Sequence, residues 1–178
     1  MASILPIIIA PDPRLKEPCV SVERVTPEIV AFMDDMLETM YDAPGIGLAA
    51  PQVGRLLRII VVDVSKDPDN PQPYQMVNPE VVWTSEETFE YEEGCLSLPE
   101  HYAEVTRPAK VRVRYRDRAG VEQEVEAQGL LAVCLQHEID HLEGTLFVDH
   151  ISKLKRNVIL RKLQKTKKQL RIQDMAEA

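Results

Sequence analysis

The sequence has 178 residues, 44% of them hydrophobic and 28% charged, with a formal net charge of −8. That is the length of one domain able to bury a core, and the composition is neither that of a disordered nor of a fibrous chain. Three cysteines are too few for a disulfide framework and suit a reducing compartment, where a thiol is a ligand or a core filler. The charge is unevenly spread. From Ser152 onward nine Lys/Arg stand against Asp174 and Glu177, a net of +7, so the preceding 151 residues carry −15. An acidic body with a basic tail implies that only the tail meets a polyanion, and a DNA-binding role for the whole chain is not expected.

The N-terminus, M-A-S-I-L-P-I-I-I-A-P, lacks a basic n-region and is broken by Pro6 and Pro11. It reads as neither signal peptide nor membrane span, so a cytoplasmic location is expected. Ile7 to Ala10 is a short strand or extended lead-in. Thr26 to Tyr41 reads as a helix: Thr26 is a candidate N-cap, Pro27 suits the first helical position, and Ile29, Met33, Met36, Leu37 and Met40 make the buried stripe. Pro44 to Gly54, with three glycines and two prolines, reads as a loop, and Leu57 to Val64 as a buried strand.

After a surface loop at 66–73, short strands are expected at Tyr74 to Asn78, Val81 to Thr84 and Thr88 to Glu92. Val111 to Arg116 and Val121 to Ala127 flank an Asp-Arg-Ala-Gly turn and form a hairpin with Arg facing Glu across the strands. A helix follows from Leu130 to Gly144, then Phe147 to Ile151, then a long polar helix. Strands in runs, with one helix before them and two after, make the class α+β.

The chemistry concentrates in that penultimate helix. His137 and His141 stand four apart, which on a helix puts both imidazoles on one face, one turn apart, able to grip one metal ion. Glu138 follows the first histidine, where H-E-x-x-H hydrolases keep their general base. Cys95, in E-G-C-L-S, is the obvious candidate for a third ligand. Cys134 stands one turn before His137, but it falls on the apolar stripe with Leu130 and Val133 and reads better as a small hydrophobe. Two His and one Cys leave a fourth position open, the arrangement of a catalytic site.

Three motifs in order, G-I-G-L-A-A-P-Q (Gly45 to Gln52), E-G-C-L-S (Glu93 to Ser97) and Q-H-E-I-D-H (Gln136 to His141), resemble those of the peptide deformylases, which remove the N-formyl group from new bacterial proteins. The resemblance implies small mixed and antiparallel sheets packed around a central metal-binding helix, with a long C-terminal helix. The charge asymmetry divides the chain into a catalytic part, 1–151, and a basic helix, 152–178, within one domain. The resemblance implies Cys95, His137 and His141 as ligands of one divalent metal, with Fe(II) expected in the cell and zinc, nickel or cobalt able to replace it. It makes Glu138 the catalytic carboxylate, and Gln52 and the Leu96 backbone N–H the oxyanion donors. The partners it implies are nascent N-formylmethionyl peptides and, through the basic helix, the ribosome; no membrane is expected.

Ile46, Leu130, Val133 and Cys134 are candidates for lining a pocket for an unbranched methionine side chain. Gly47 and Gly94, beside Glu93, permit close approach of a peptide backbone. The sequence departs from the resemblance at Tyr102, where many deformylases carry an arginine that pairs with the motif glutamate; the partner of Glu93 is left open, a single neutral hydrogen bond from Tyr102 being one candidate. The rival is a zinc endopeptidase. Its extended pattern H-E-x-x-H-x-x-G-x-x-H is met through Gly144 and fails at Phe147. In the last helix, Leu154, Val158, Leu163 and Leu170 are expected to pack on the body and leave a basic face outward.

Overall fold

A computed structural model describes residues 2–177. The organising element is the second strand, Ile59–Val62 (β2), whose four residues are all buried. Its alternation explains the layering, since successive side chains leave opposite faces of a strand. Ile60 and Val62 point into a core shared with Cys134, Leu135, Ile139 and Leu142 of helix α2 (Gly129–Leu142). Ile59 and Val61 point the other way, into a core built by Phe32, Met33, Met36 and Met40 of helix α1 (Pro27–Asp42). The sheet is thus sandwiched between two helices, and a strand covered on both faces reads as a continuous apolar run.

That sheet has five strands in the order β1-β2-β3-β6-β7, with β1 Gly47–Ala49, β3 Tyr74–Thr84, β6 Lys110–Arg116 and β7 Glu122–Gln128. A separate two-stranded ribbon pairs β4 (Thr88–Cys95) with β5 (Leu98–Pro108). Every strand pairing is antiparallel, and the parallel element is an isolated bridge between Val20 and Leu57. The α+β class and the central position of α2 agree with expectation. Thr26 caps α1 by accepting the Ile29 N–H at 3.2 Å, and Arg112, Arg114 and Arg116 stand opposite Glu126, Glu124 and Glu122 across β6 and β7.

Three segments differ from the sequence reading. The glycine loop contains β1 and a 3-10 turn, Ala50–Val53. The strands expected at 74–78 and 81–84 are one strand, irregular in register where Asn78 adopts φ 52° and exchanges two hydrogen bonds with the Val22 backbone at 2.8 Å each. The strand β5 was not expected, because Pro99, Glu100, His101 and Glu104 give it the look of a polar loop; its pairing with β4 is what makes it a strand.

The last helix, α3 (Lys153–Glu177), packs through one of the four residues expected, Leu163, joined by Ile159 and Leu160, which were not. Leu163 is buried, in a core with Phe147, Val148, Leu98 and Val105, and Ile159 and Leu160 pack against it. Leu154 and Leu170 are 75% and 54% exposed. Ile159 and Leu160 stand four and three residues before Leu163 and share its face. Leu154, nine residues before Leu163, lies on the opposite side of the helix, whereas Leu170, seven residues on, keeps that face and is exposed.

Helix α2 ends where the chain turns at Gly144, with φ +75°; a Cβ there would strike the Lys16 carbonyl oxygen. Gly144→Ala is therefore expected to destabilise the protein by more than about 1 kcal/mol, because both the left-handed backbone and the close approach exclude a side chain. The check is the urea unfolding midpoint at unchanged m-value.

Candidate metal centre

The site is assembled from three elements. Helix α2 brings His137, Glu138 and His141, all buried. The end of β4 brings Cys95, and the 3-10 turn after β1 brings Gln52. The sulfur of Cys95 and one ring nitrogen from each histidine lie within 4.8 Å of one another, and Cys95 Sγ is 3.4 Å from His141 Nε2. Among the described residues this is the one cluster of at least three such donors able to hold a metal ion.

The ring orientation of His137 follows from its surroundings. Its Nδ1 lies 2.9 Å from Glu93 Oε1. Burial alone would raise the Glu93 pKa, but the hydrogen bonds from His137 and Arg107 hold that carboxyl below the usual range, so it is ionised and can only accept. Glu93 therefore fixes a proton on Nδ1, which leaves Nε2 as the ring nitrogen available to ligate a metal, the arrangement in which an outer carboxylate orients a ligating histidine. Burial disfavours a charged His137, yet the hydrogen bonds to Cys95 and Glu93 and the charge of Glu138 hold its pKa well above the usual value. Positive charge is favoured at that point. His141, by contrast, is pushed well below the usual value by burial and by the charges of His137 and Arg107. A neutral imidazole beside a position that favours a cation fits a divalent ion on a sulfur and two nitrogens.

Glu93 is satisfied by Arg107 and not by Tyr102, the one candidate the sequence offered. Arg107 donates from Nε to Oε2 at 2.7 Å and from Nη2 to Oε1 at 2.9 Å, a bidentate pair buried on both sides. Its remaining Nη1 donates to Asp140 Oδ2 on α2 at 2.8 Å. Tyr102 is instead paired with Gly94 across the ribbon, and its ring fills the space where a Gly94 Cβ would come within 2.6 Å of it. Arg107 escaped the sequence reading because β5 did. Once β5 pairs with β4, Arg107 and Ala103 share a face, and Ala103 stands directly opposite Glu93.

The other expected residues are brought together. A cleft of about 670 Å³ is lined by Ile46, Gly47, Glu93, Gly94, Cys95, Leu96, Leu130, Val133, Cys134, His137 and Glu138. Gln52 and His141 lie behind its wall. The Gln52 carboxamide is fixed: Oε1 accepts from Ala49 N at 2.9 Å, and Nε2 donates to Ser97 Oγ at 3.0 Å and to Cys95 Sγ at 3.4 Å. Leu96 and Ser97 make the turn between β4 and β5. Gly47 admits Glu138, since a Cβ there would meet Cys134 Sγ at 2.8 Å and the Glu138 side chain at 3.0 Å. Glu138 Oε2 has no hydrogen-bond partner, and burial pushes the carboxyl pKa up to about 7. The endopeptidase pattern would need a histidine at 147. Phe147 is there, its ring against His137 with centroids 6.0 Å apart. His101 lines the cleft and His150 bonds Asp140, so neither joins the donor cluster.

The model of the polypeptide deformylase family matches residues 4–157. A peptide deformylase of Mesorhizobium japonicum is 56% identical over 165 residues, covering 93% of this chain and 94% of its own. The crystal structure of peptide deformylase from Ehrlichia chaffeensis has a TM-score of 0.89 at 41% identity, over 94% of this chain and 98% of that one. The structure of the Ehrlichia chaffeensis enzyme in complex with actinonin gives 0.86 at 42%, over 92% and 98%. With its motifs brought into one site and this similarity spanning nearly the whole of both chains, the chain belongs to the polypeptide deformylase family.

Proposed function

We propose that this chain hydrolyses the N-formyl group of the N-terminal formylmethionine of newly made proteins, in the cytoplasm, releasing formate. The observation that carries the reading is the convergence of Cys95, His137 and His141 beside the buried carboxylate of Glu138, whose Oε2 has no hydrogen-bond partner, on a cleft of a deformylase-family chain. Metal analysis followed by a formate-release assay on a formyl-Met tripeptide tests it. Catalytic residues and basic helix belong to one unit in this reading, with 1–151 carrying the chemistry.

A divalent ion held by Cys95, His137 and His141 would supply a Lewis acid that brings the pKa of water toward about 7. Glu138 takes the proton of the attacking water. It then gives that proton to the departing amine as the C–N bond breaks and formate leaves. A carboxyl near pKa 7 is matched to both tasks at neutral pH. Gln52 Nε2, whose second hydrogen reaches only a weakly accepting sulfur, and the Leu96 N–H in the β4–β5 turn are the oxyanion donors, each worth about 3 kcal/mol in such roles. Ile46, Leu130, Val133 and Cys134 line a recess suited to an unbranched apolar side chain. The peptide backbone adds alongside β1, an edge strand of the sheet, with Gly47 and Gly94 permitting the approach.

Glu138→Gln is expected to retain the metal and the fold and to lose activity by several orders of magnitude, because the proton carrier is gone while the donors remain. Near-normal formate release by the metal-loaded variant would overturn the role. The metal proposed for the cell is Fe(II), on a softer donor set than histidine and carboxylate alone provide, with zinc, nickel or cobalt able to substitute. Cys95→Ser is expected to weaken metal retention and shift metal preference, read by metal content after dialysis, whereas Cys134→Ser is expected to keep the metal.

The basic helix α3 is proposed to dock on the ribosome, where the nascent substrate emerges. Deletion after Asn157 would strip Ile159, Leu160 and Leu163 from the core, so charge reversal is the cleaner test. Changing exposed Lys165, Lys168 and Arg171 to Glu is expected to leave tripeptide deformylation intact and to abolish low-salt co-sedimentation with ribosomes. Wild-type binding should fall steeply with salt. Unchanged co-sedimentation of the reversed variant would exclude the tail as the anchor.

A further inference from the structure

The 3-10 turn Phe147–His150 reaches the imidazole of His137 from two directions. Phe147 lies nearly parallel to the His137 ring, at an interplanar angle of 23°. From the other end of the turn, His150 Nε2 approaches Asp140 Oδ2 at 2.8 Å. The same oxygen accepts Arg107 Nη1 at 2.8 Å, Arg107 grips both oxygens of Glu93, and Glu93 Oε1 accepts the His137 Nδ1–H. A continuous chain of side chains therefore runs from a surface histidine, 36% exposed, to a ring that is 8% exposed.

Each link constrains the next. Arg107 is a planar fork, and a fork held at Glu93 alone can still pivot about that pair. The bond to Asp140 fixes its third donor and so its plane. Asp140 is 27% exposed, and His150 holds the oxygen that Arg107 uses. The turn carrying His150 is itself pinned, since Asp149 accepts the Leu146 N–H at 2.8 Å and pairs with Lys16 and Arg156. His150 is thus held in place independently of the bond it makes.

We propose that His150 is a positioning residue for the metal centre: through Asp140, Arg107 and Glu93 it fixes the orientation of His137. The inference rests on the reading of His137 as a ligand. A histidine that merely solvates Asp140 at the surface would leave metal binding unaffected by its loss.

The test is the rate at which the full-length zinc-loaded protein releases zinc to excess EDTA. His150→Leu releases zinc about tenfold faster than wild type, at the low end of the range for outer-shell partners because His150 stands further out than most. His150→Gln, whose terminal amide keeps a donor on a side chain of similar reach, stays near the wild-type rate. In the formate assay His150→Leu lowers kcat with KM unchanged, since the cleft walls are untouched. Release at the wild-type rate from His150→Leu overturns the proposal, as does equally fast release from the Leu and Gln variants. His137→Ala separates the two levels. If it sheds zinc while His150→Leu holds it, only the positioning role falls; if it holds zinc as tightly as wild type, the ligand reading falls and the proposal with it.

Discussion

A carboxylate almost without contact with water, Glu93, ties the two-stranded ribbon to the central helix. It accepts two hydrogen bonds from Arg107 of the same ribbon and one from His137 of α2. The charged pairs on the β6–β7 hairpin offer a measure of what this means. Arg112 and Arg114 with their glutamates lie at 3.3 to 3.7 Å in the open, where such pairs contribute about 0–1 kcal/mol each. Deleting one partner of a buried pair leaves an uncompensated charge and costs about 3–5 kcal/mol. The buried pair need not add net stability over an apolar substitute. Its effect is on geometry, because only an arrangement that keeps Glu93 fully paired avoids that penalty. Such an arrangement also sets the tautomer and tilt of His137.

The same economy of space governs the other side of the site. Strand β1 lies at the edge of the sheet and against α2, and it can approach only because position 47 has no Cβ to strike Cys134 and Glu138. Gly45 likewise yields to the side chain of Leu96, which a Cβ would meet at 2.7 Å. Two glycines therefore let one strand edge, the helix and the β4–β5 turn close around a single cleft. Turn flexibility, the ordinary reason for glycines in a loop, is secondary at Gly47. What matters there is the distance between backbone and carboxylate.

Legibility in the sequence followed the range of the forces involved. The pairing of His137 with His141 was plain because helix geometry is local: a spacing of four places two side chains on one face whatever surrounds them. The double burial of β2 was plain for a similar reason, as Ile59 to Val62 leave no polar face to hydrate. Arg107 was hidden because β5 is a strand by virtue of its partner, and its own residues between Pro99 and Pro108 look like a loop. The packed face of α3 was only partly legible because Leu154 and Val158 lie on one side of the helix and Leu163 on the other, where Ile159 and Leu160 join it. Which stripe is buried depends on where the helix meets Phe147 and Leu98, and nothing local encodes that.

Placing Glu138 on α2 exposes a tension within the helix itself. From Ala132 to Leu142 every residue except Asp140 is buried, so the helix is an ideal core element and a poor environment for charge. Four of those buried residues are nevertheless polar: Gln136, His137, Glu138 and His141. Gln136 is satisfied by the Pro108 and Ala132 carbonyls at 3.0 Å each, and His137 by Glu93. Glu138 Oε2 and His141 Nδ1 have no such bonds. An unpaired buried polar atom costs about 1–3 kcal/mol, and such a cost persists in a stable fold only where surrounding apolar burial exceeds it. Leu135, Ile139 and Leu142, fully or nearly buried on the opposite side of the helix, provide that surplus. A loop could have carried the same residues with less strain. It would not have held a carboxylate at a fixed distance from two imidazoles, and the chemistry depends on that fixed distance.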